Sequence, residues 1–387
     1  MKLRDDCDYI VREAIRRVQP HEAVRRALEG HRFGGGRLIL VSIGKAAWSM
    51  ADAAYGVLGA KVDSGIVITK HHHSGSAIGK LLIREAGHPI PDGDTFSATR
   101  EALELTEHLQ KEDTVLFLLS GGGSALFESP LVPPEALQEV TRSLLACGAD
   151  IVEMNTVRKR LSAVKGGRFA QHCSPAKVFT IVLSDIVGDP LDMIASGPAY
   201  PDSSTCQDAE NVVKKYHLQF SGAVTACLQQ ETPKTLDNAE TAVTGSVREL
   251  CVAAGAACRE RGYEPIFLTD SLTCQAREAG EFLAAIARSH QKREKPLAFL
   301  AGGETVVHLT GTGMGGRNQE LDLAAAGGIS GLENTAVFSV GSDGTDGPTD
   351  AAGGFVTGET QELLRQKGTD IFTVLAQNDA YHALETC

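Results

Sequence analysis

The sequence predicts an α/β protein of two domains, and three observations carry that prediction. Short apolar runs alternate with helical stretches along the whole chain, several of those runs end in polar, glycine-rich loops, and 387 residues exceed what one compact core holds. The run Thr114 to Leu118 is unbroken, as in a parallel strand covered on both faces.

Composition narrows the class. A hydrophobic content of 42% with scattered charges suits a soluble globular protein. A formal net charge of −12 and the lack of any dense Lys/Arg tract exclude a nucleic-acid partner. No stretch has membrane-spanning length and the N-terminus lacks a signal-type apolar core, so a cytoplasmic protein without a membrane partner is expected. The nine cysteines include no Cys-x-x-Cys pair, which favours reduced thiols over disulfides or a zinc site.

In chain order, Met1 to Glu29 reads as one amphipathic helix. Arg37 to Ile43 is a buried strand closed by Gly44-Lys45, and Ala46 to Leu58 is helical. A lysine between a strand end and a helix start can hold a phosphate by charge; a solvated helix-start lysine is the bland alternative. It is not a Walker A lysine, since Ile39 stands where that motif needs glycine and Ala46 follows Lys45. Gly65 to Thr69 is a strand leading into His71-His72-His73. Neighbours in an extended loop cannot all face one ion, which argues against a metal site there. A Pro-stiffened loop, Gly87 to Asp92, precedes a helix over Thr95 to Gln110.

The strand at Thr114 then ends in Ser120-Gly121-Gly122-Gly123-Ser124, the stretch that organises the chain. Three glycines let backbone N–H groups approach an anion, and Ser120 and Ser124 add hydroxyl donors. The carboxyl end of a parallel strand is where open α/β sheets place ligands, although a tight turn explains the glycines equally well in isolation. Pro133 to Cys147 is a helix with a proline in its first turn. In the basic segment from Asn155 to Arg168, Arg158 and Lys165 stand seven residues apart and share a face if the segment is helical. In an acidic chain such a segment beside glycine-rich loops reads as an anion site, against the alternative of a solvated basic face. Val178 to Leu183 is a strand running into Ser184-Asp185-Ile186-Val187-Gly188-Asp189. Two aspartates beyond a strand end suit Mg²⁺ held partly through water, or each caps a turn.

A boundary falls near 232–238, giving domains 1–238 and 239–387. Strands are expected at Thr241 to Val243, Pro265 to Leu268, Leu297 to Leu300, Thr305 to Leu309 and Thr335 to Val340. Gly302-Gly303-Glu304 is a turn, and Gly341 to Gly347 closes the last clear strand with Asp343 and Asp346. Gly311, Gly313 and Gly316 satisfy G-x-G-x-x-G between a strand and a helix, which keeps an NAD(P)H-dependent dehydrogenase as an alternative. Its expected acidic residue is misplaced: Glu333 precedes the following strand and Asp343 lies too far on.

Taken together, the loops resemble the class II glycerate kinases, the glycerate 2-kinase family related to tartrate-utilisation proteins. The resemblance rests on Ile43-Gly44-Lys45-Ala46-Ala47, Gly87-His88-Pro89, Ser120 to Ser124 and Asn155 to Gly167. It continues through Leu183-Ser184-Asp185, Gly188-Asp189, Ser196-Gly197-Pro198, Gly302-Gly303-Glu304, Gly316-Arg317-Asn318-Gln319-Glu320 and Ser342 to Gly347. It implies a larger Rossmann-like N-terminal α/β/α domain and a smaller α/β C-terminal domain of MOFRL type, with a cleft between them. It also implies ATP- and Mg²⁺-dependent phosphorylation of D-glycerate at the 2-hydroxyl, giving 2-phosphoglycerate. Separately, a monomer or homodimer is expected. Lys45 and Arg317 match the residues held critical for catalysis. Ser120, Gly121, Gly122, Gly123, Ser124, Asn155, Arg158, Lys165, Gly303 and Glu304 are the expected substrate and phosphate contacts. Asp189, Asp343 and Asp346 are the expected metal ligands.

Family members continue past the region of Asn378-Asp379-Ala380, whereas this sequence stops at Cys387, so the usual C-terminal end is expected to be lacking. Some members carry the label hydroxypyruvate reductase, which coincides with the dehydrogenase alternative. A catalytically impaired binding protein of the same fold is the third reading.

Overall fold

The computed structural model describes residues 2–184, 191–291 and 295–387. The chain divides into two compact units: Val18–Ser246, and the residues up to Arg17 together with Val247–Cys387. This differs from a division at 238/239 in two respects, each with a physical cause. The strand Ala239–Thr244 pairs into the first unit's sheet. The stretch up to Glu29 is not one helix but two, Lys2–Val18 and Pro20–Leu28, broken where Pro20 starts the second. The first of these packs in the second unit. Its buried Asp6 accepts from Arg261 at 2.7 Å and from the Tyr263 hydroxyl at 3.0 Å, and Ile10 packs on Ala257 and Cys258.

The first unit holds six strands: β1 Leu38–Ile43, β2 Ser64–Lys70, β3 Leu82–Ala86, β4 Thr114–Leu119, β5 Lys177–Leu183 and β6 Ala239–Thr244. They form one parallel sheet in the order β3-β2-β1-β4-β5-β6. Each central strand splits its side chains between two cores, because successive residues point to opposite faces. Ile39, Val41, Ile43, Val115, Phe117 and Leu119 pack on one face with Ala98 and Ala102 of the helix Gly93–Leu105. Leu38, Leu40, Leu116 and Leu118 pack on the other with Val24 and with Ala47 and Met50 of the helix Ala47–Leu58. The continuous apolar runs follow from burial on both faces. β3 was not expected, since Arg84 and Glu85 interrupt its pattern; it is an edge strand and its side chains are largely half-buried. A further helical cluster joins Pro134–Ala146, Ile151–Arg158, Cys206–Lys215 and Gly222–Leu228.

The second unit contains a parallel pair, β7 Glu264–Leu272 with β8 Leu297–Gly303, and an antiparallel pair, β9 Ala336–Val340 with β10 Gly353–Thr357. Its core lies around the helix Arg317–Gly328, packed on Ala276–Ser289. The expected strand at Thr305 to Leu309 is absent; one isolated bridge, Val306 to Gln275, stands there instead. Asn378 serves this stretch from its side chain: its Nδ2–H donates to His308 O at 3.2 Å, and its Oδ1 accepts from the N–H groups of Thr310 and Gly311 at 2.7 and 2.9 Å.

Phe117 is fully buried at the centre of β4, its ring 4.8 Å from that of Phe169 and 6.0 Å from that of Phe127. Phe117→Ala is expected to cost about 3–5 kcal/mol, read as a lower urea midpoint.

Candidate active site

In the first unit the strand order reverses between β1 and β4. The chain leaves β1 toward one face, where Ala47 and Met50 are buried, and leaves β4 toward the other, where Leu126 and Phe127 are buried. Such a switch point opens a crevice beyond the carboxyl ends of the two strands. Gly44-Lys45 and the triple-glycine loop both stand there, spliced together. Lys45 N–H donates to Gly121 O at 2.9 Å, Ser120 N–H to Ile43 O at 3.0 Å, and Ala46 N–H to Ser120 Oγ at 3.1 Å. Gly44 has φ +124, and a Cβ there would lie 2.2 Å from Ser120 Oγ, so only glycine fits. Ser120 is buried and its hydroxyl is engaged by this splice. It therefore clips the two loops rather than meeting a ligand, contrary to expectation.

Gly122 also has positive φ, +86, and a Cβ on it would stand 3.0 Å from the His88 ring and 3.1 Å from the Lys45 stem. Lys45, His88 and the bare backbone of Gly122 are thus neighbours. Lys45 is exposed, and its ammonium makes no hydrogen bond or ion pair among the described residues. Burial, then the charges of Lys45 and Lys70, hold His88 below the usual histidine range. Sequence reasoning singled out His88 only within a motif; its position beside Lys45 depends on the fold.

The basic segment is rearranged from expectation. The helix Ile151–Arg158 ends at Arg158 and a 3₁₀ turn, Lys159–Leu161, follows, so no continuous helical face carries Arg158 and Lys165. Most of its charges are neutralised inside the protein. Lys159 Nζ lies 3.1 Å from Asp202 and 3.4 Å from Asp192, and Arg160 bonds Thr156 O and Ser204 O at 2.7 and 2.8 Å. Burial opposes the charge on Asp202, yet Thr232 and Lys159 hold its carboxyl below the usual range. Lys165 is fully buried, with Nζ 2.5 Å from Glu128 and 3.0 Å from Phe127 O. Burial lowers its pKa against the pull of Glu128. Lys165 thus supports the loop and cannot reach a dissolved anion. Arg158 is different: its guanidinium makes no hydrogen bond among the described residues, and its buried Nε is unpartnered.

Beside it, a short polar chain ties three segments together. Ser124 Oγ lies 2.8 Å from Ser196 Oγ, and the Ser196 hydroxyl donates to Asn155 Oδ1 at 2.9 Å. Ala195, Ser196 and Gly197 have φ of +50, +63 and +61. Left-handed geometry at two non-glycine residues costs on the order of 1–3 kcal/mol each. It is held by Gly166 N–H to Ser196 O at 3.0 Å and Gly167 N–H to Gly197 O at 2.7 Å.

In the second unit, Arg317 opens the helix Arg317–Gly328, and its Nη1 lies 2.7 Å from Glu304 Oε1, both side chains half-exposed. The next residues face inward. Asn318 and Gln319 reach Asp346 and Thr349, and Glu320 meets Arg277 and Asn378. Gly303 packs against Leu272, and Glu304 N–H donates to Leu272 O at 2.8 Å. Asp346 is buried, with Oδ1 accepting from Asn318 N–H and Nδ2–H at 3.1 and 2.9 Å, and Oδ2 from Gln319 N–H at 2.9 Å. Those bonds cap the helix and remove Asp346 as a metal ligand. Asp343 is exposed and, among the described residues, spends only Oδ1, on Thr345 N–H at 3.1 Å, which leaves a carboxylate oxygen suited to a hard cation shared with phosphates. Asp189 lies outside the described residues. His71, Asp92 and Asp94 bring ligand atoms within 4.8 Å, but Asp92 also caps the helix Gly93–Leu105 and pairs with His71 at 2.9 Å.

The dinucleotide alternative fails on geometry. A Cβ on Gly311 would lie 2.3 Å from Gln377 Cα, and one on Gly313 would lie 2.5 Å from Asp379 Cβ. The chain's own loop occupies the close approach that a pyrophosphate would need.

Fold and site together define a two-unit α/β protein with a glycine-rich loop beside an exposed lysine at a sheet switch point. A domain of unknown function (DUF4147) matches residues 6–229 and the MOFRL family matches 297–387. The D-glycerate 2-kinase of Thermotoga maritima is 51% identical over 97% of this chain and 91% of its own length. The glycerate 2-kinase of Pyrococcus horikoshii is 35% identical over 100% of this chain and 92% of its own. The crystal structure of a glycerate kinase from Thermotoga maritima superposes with a TM-score of 0.94 at 50% identity, covering 99% of this chain and 94% of that one. This chain belongs to the glycerate 2-kinase family.

Asp346→Asn turns one acceptor oxygen into a donor facing helix N–H groups. A loss of about 1–3 kcal/mol is expected in urea denaturation; unchanged stability would return Asp346 to the candidate metal ligands.

Proposed function

We propose that the chain transfers the γ-phosphoryl group of ATP to the 2-hydroxyl of D-glycerate, yielding 2-phosphoglycerate and ADP. The observation that carries this reading is the Lys45 ammonium, free of ion pairs among the described residues, beside the bare backbone of Gly122 at the switch point. Phosphoryl transfer asks a protein mainly for positioned positive charge on the transferred group. Lys45 offers such a charge in one unit, and Arg317, paired with Glu304, offers one in the other. The unpartnered guanidinium of Arg158 is suited to a carboxylate, which accepts two parallel N–H bonds. Gly121, Gly122 and Gly123 offer backbone to the substrate's anionic groups. Mg²⁺, when bound with the nucleotide, would neutralise phosphate charge, and Asp343 is a described residue that would hold it.

The assay supplies ATP, Mg²⁺ and D-glycerate, and couples product through enolase alone or through phosphoglycerate mutase plus enolase. Signal with enolase alone is expected. Signal only with mutase would move the phosphate to the 3-hydroxyl, and silence in both would remove the kinase reading. Lys45→Ala and Arg317→Ala should each lower kcat by roughly 10²–10³-fold with unfolding midpoints unchanged. Near-normal turnover in either would remove that residue from the chemistry.

A further inference from the structure

The chain Ser124–Ser196–Asn155 has a direction. Asn155 Nδ2 faces Met193 Sδ at 3.6 Å, which turns the amide oxygen toward Ser196. A carbonyl oxygen only accepts, so Ser196 gives its one proton to Asn155, at 2.9 Å. The 2.8 Å contact between the two serine oxygens also needs a proton, and Ser196 has none left. Ser124 must donate it. Ser124, half-buried in the triple-glycine loop, then presents only lone pairs to whatever enters. This reverses the expectation that its hydroxyl is a donor to an anion: a carboxylate or phosphate oxygen placed against it would meet another acceptor.

An acceptor calls for a substrate hydroxyl, and chemistry selects which one. The 2-hydroxyl loses its proton as its oxygen bonds to phosphorus. Ser124 cannot take that proton, because the relay ends at Asn155 Oδ1 and has no onward acceptor. The hydroxyl that bonds Ser124 therefore keeps its proton throughout, which describes the 3-hydroxyl of glycerate. The arrangement is built in at a cost. Ser196 is fully buried, and it sits in the middle of three successive left-handed residues pinned by Gly166 and Gly167. Observed strain of this kind concentrates at functional sites.

We infer that Ser196 is a positioning residue that fixes Ser124 as the acceptor for the non-reacting 3-hydroxyl, and so sets the preference for substrates bearing it. The inference rests on the glycerate kinase reading. Its test compares the KM for D-glycerate with the inhibition constant of D-lactate, which keeps the carboxylate and 2-hydroxyl but lacks the 3-hydroxyl. Ser196→Gly is the variant of choice, since glycine adopts φ near +60 freely and the loop survives without the hydroxyl. In the wild type the lactate constant is expected to exceed the glycerate KM by roughly 10²-fold or more, because an unmet acceptor rejects the analogue. In Ser196→Gly, and separately in Ser124→Ala, glycerate KM should rise about tenfold or more while lactate inhibition changes little, so the ratio shrinks. A ratio preserved in Ser196→Gly, whether both constants shift equally or neither moves, overturns the inference and leaves Ser196 structural; so does a wild-type ratio near one. Wild-type protein inert toward D-glycerate would instead refute the kinase reading itself, a distinguishable result.

Discussion

The splice between the Gly44-Lys45 turn and the triple-glycine loop is the constraint on which the rest of the site depends. Two neighbouring parallel strands send their chains to opposite faces of the sheet, which by itself would let the loops part. Backbone bonds from Lys45 to Gly121 and from Ser120 to Ile43, with the Ser120 hydroxyl between them, keep them joined. The join requires a residue without a side chain at 44, since any Cβ would collide with Ser120. With the backbone fixed in this way, the Lys45 side chain is left without a partner among the described residues, and His88 is held beside it at depressed basicity.

Buried charge gives the site its second layer. Removing one partner of a buried pair typically costs about 3–5 kcal/mol, so such pairs hold their segments firmly. Lys165 with Glu128 ties the turn after the 3₁₀ helix to the chain beyond the triple-glycine loop. Lys159 and Arg160 with Asp202 tie the 3₁₀ turn itself to the segment that follows the strained residues 195–197. The strained geometry at Ser196 is thus over-determined by its surroundings, and the Arg158 guanidinium makes no hydrogen bond among the described residues. In the second unit the same logic runs through neutral bonds. Asp346, Asn318 and Gln319 close the start of one helix so that Arg317, at its first position, faces outward.

The sequence was legible wherever local chemistry and burial agree. Strands covered on both faces appear as apolar runs, and β1, β2, β4 and β5 fall where those runs lie. The glycine-rich loops announced the ligand end of the sheet. Legibility failed where a partner distant in sequence decides. Lys165 looks like a surface cation until Glu128, 37 residues earlier, is folded against it. Asp346 looks like a metal ligand until the helix it caps arrives from Arg317. The segment Thr305 to Leu309 has the composition of a strand, but Asn378 takes the hydrogen bonds of the residues that follow it.

By itself the sequence determined the α/β class, the positions of the buried strands, the loops that gather at their ends, and the family through the order of those loops. Those properties are written in local pattern: apolar continuity, glycine where the backbone must turn, and charge beside it. Only the tertiary structure decided the strand order that creates the switch point and the assignment of the first helix to the second unit. It alone also decided which polar side chains remain unspent. The reason is physical: the partner that consumes a hydrogen-bond donor or neutralises a charge is chosen by the fold, and two residues of the same type diverge in role once one of them finds its partner.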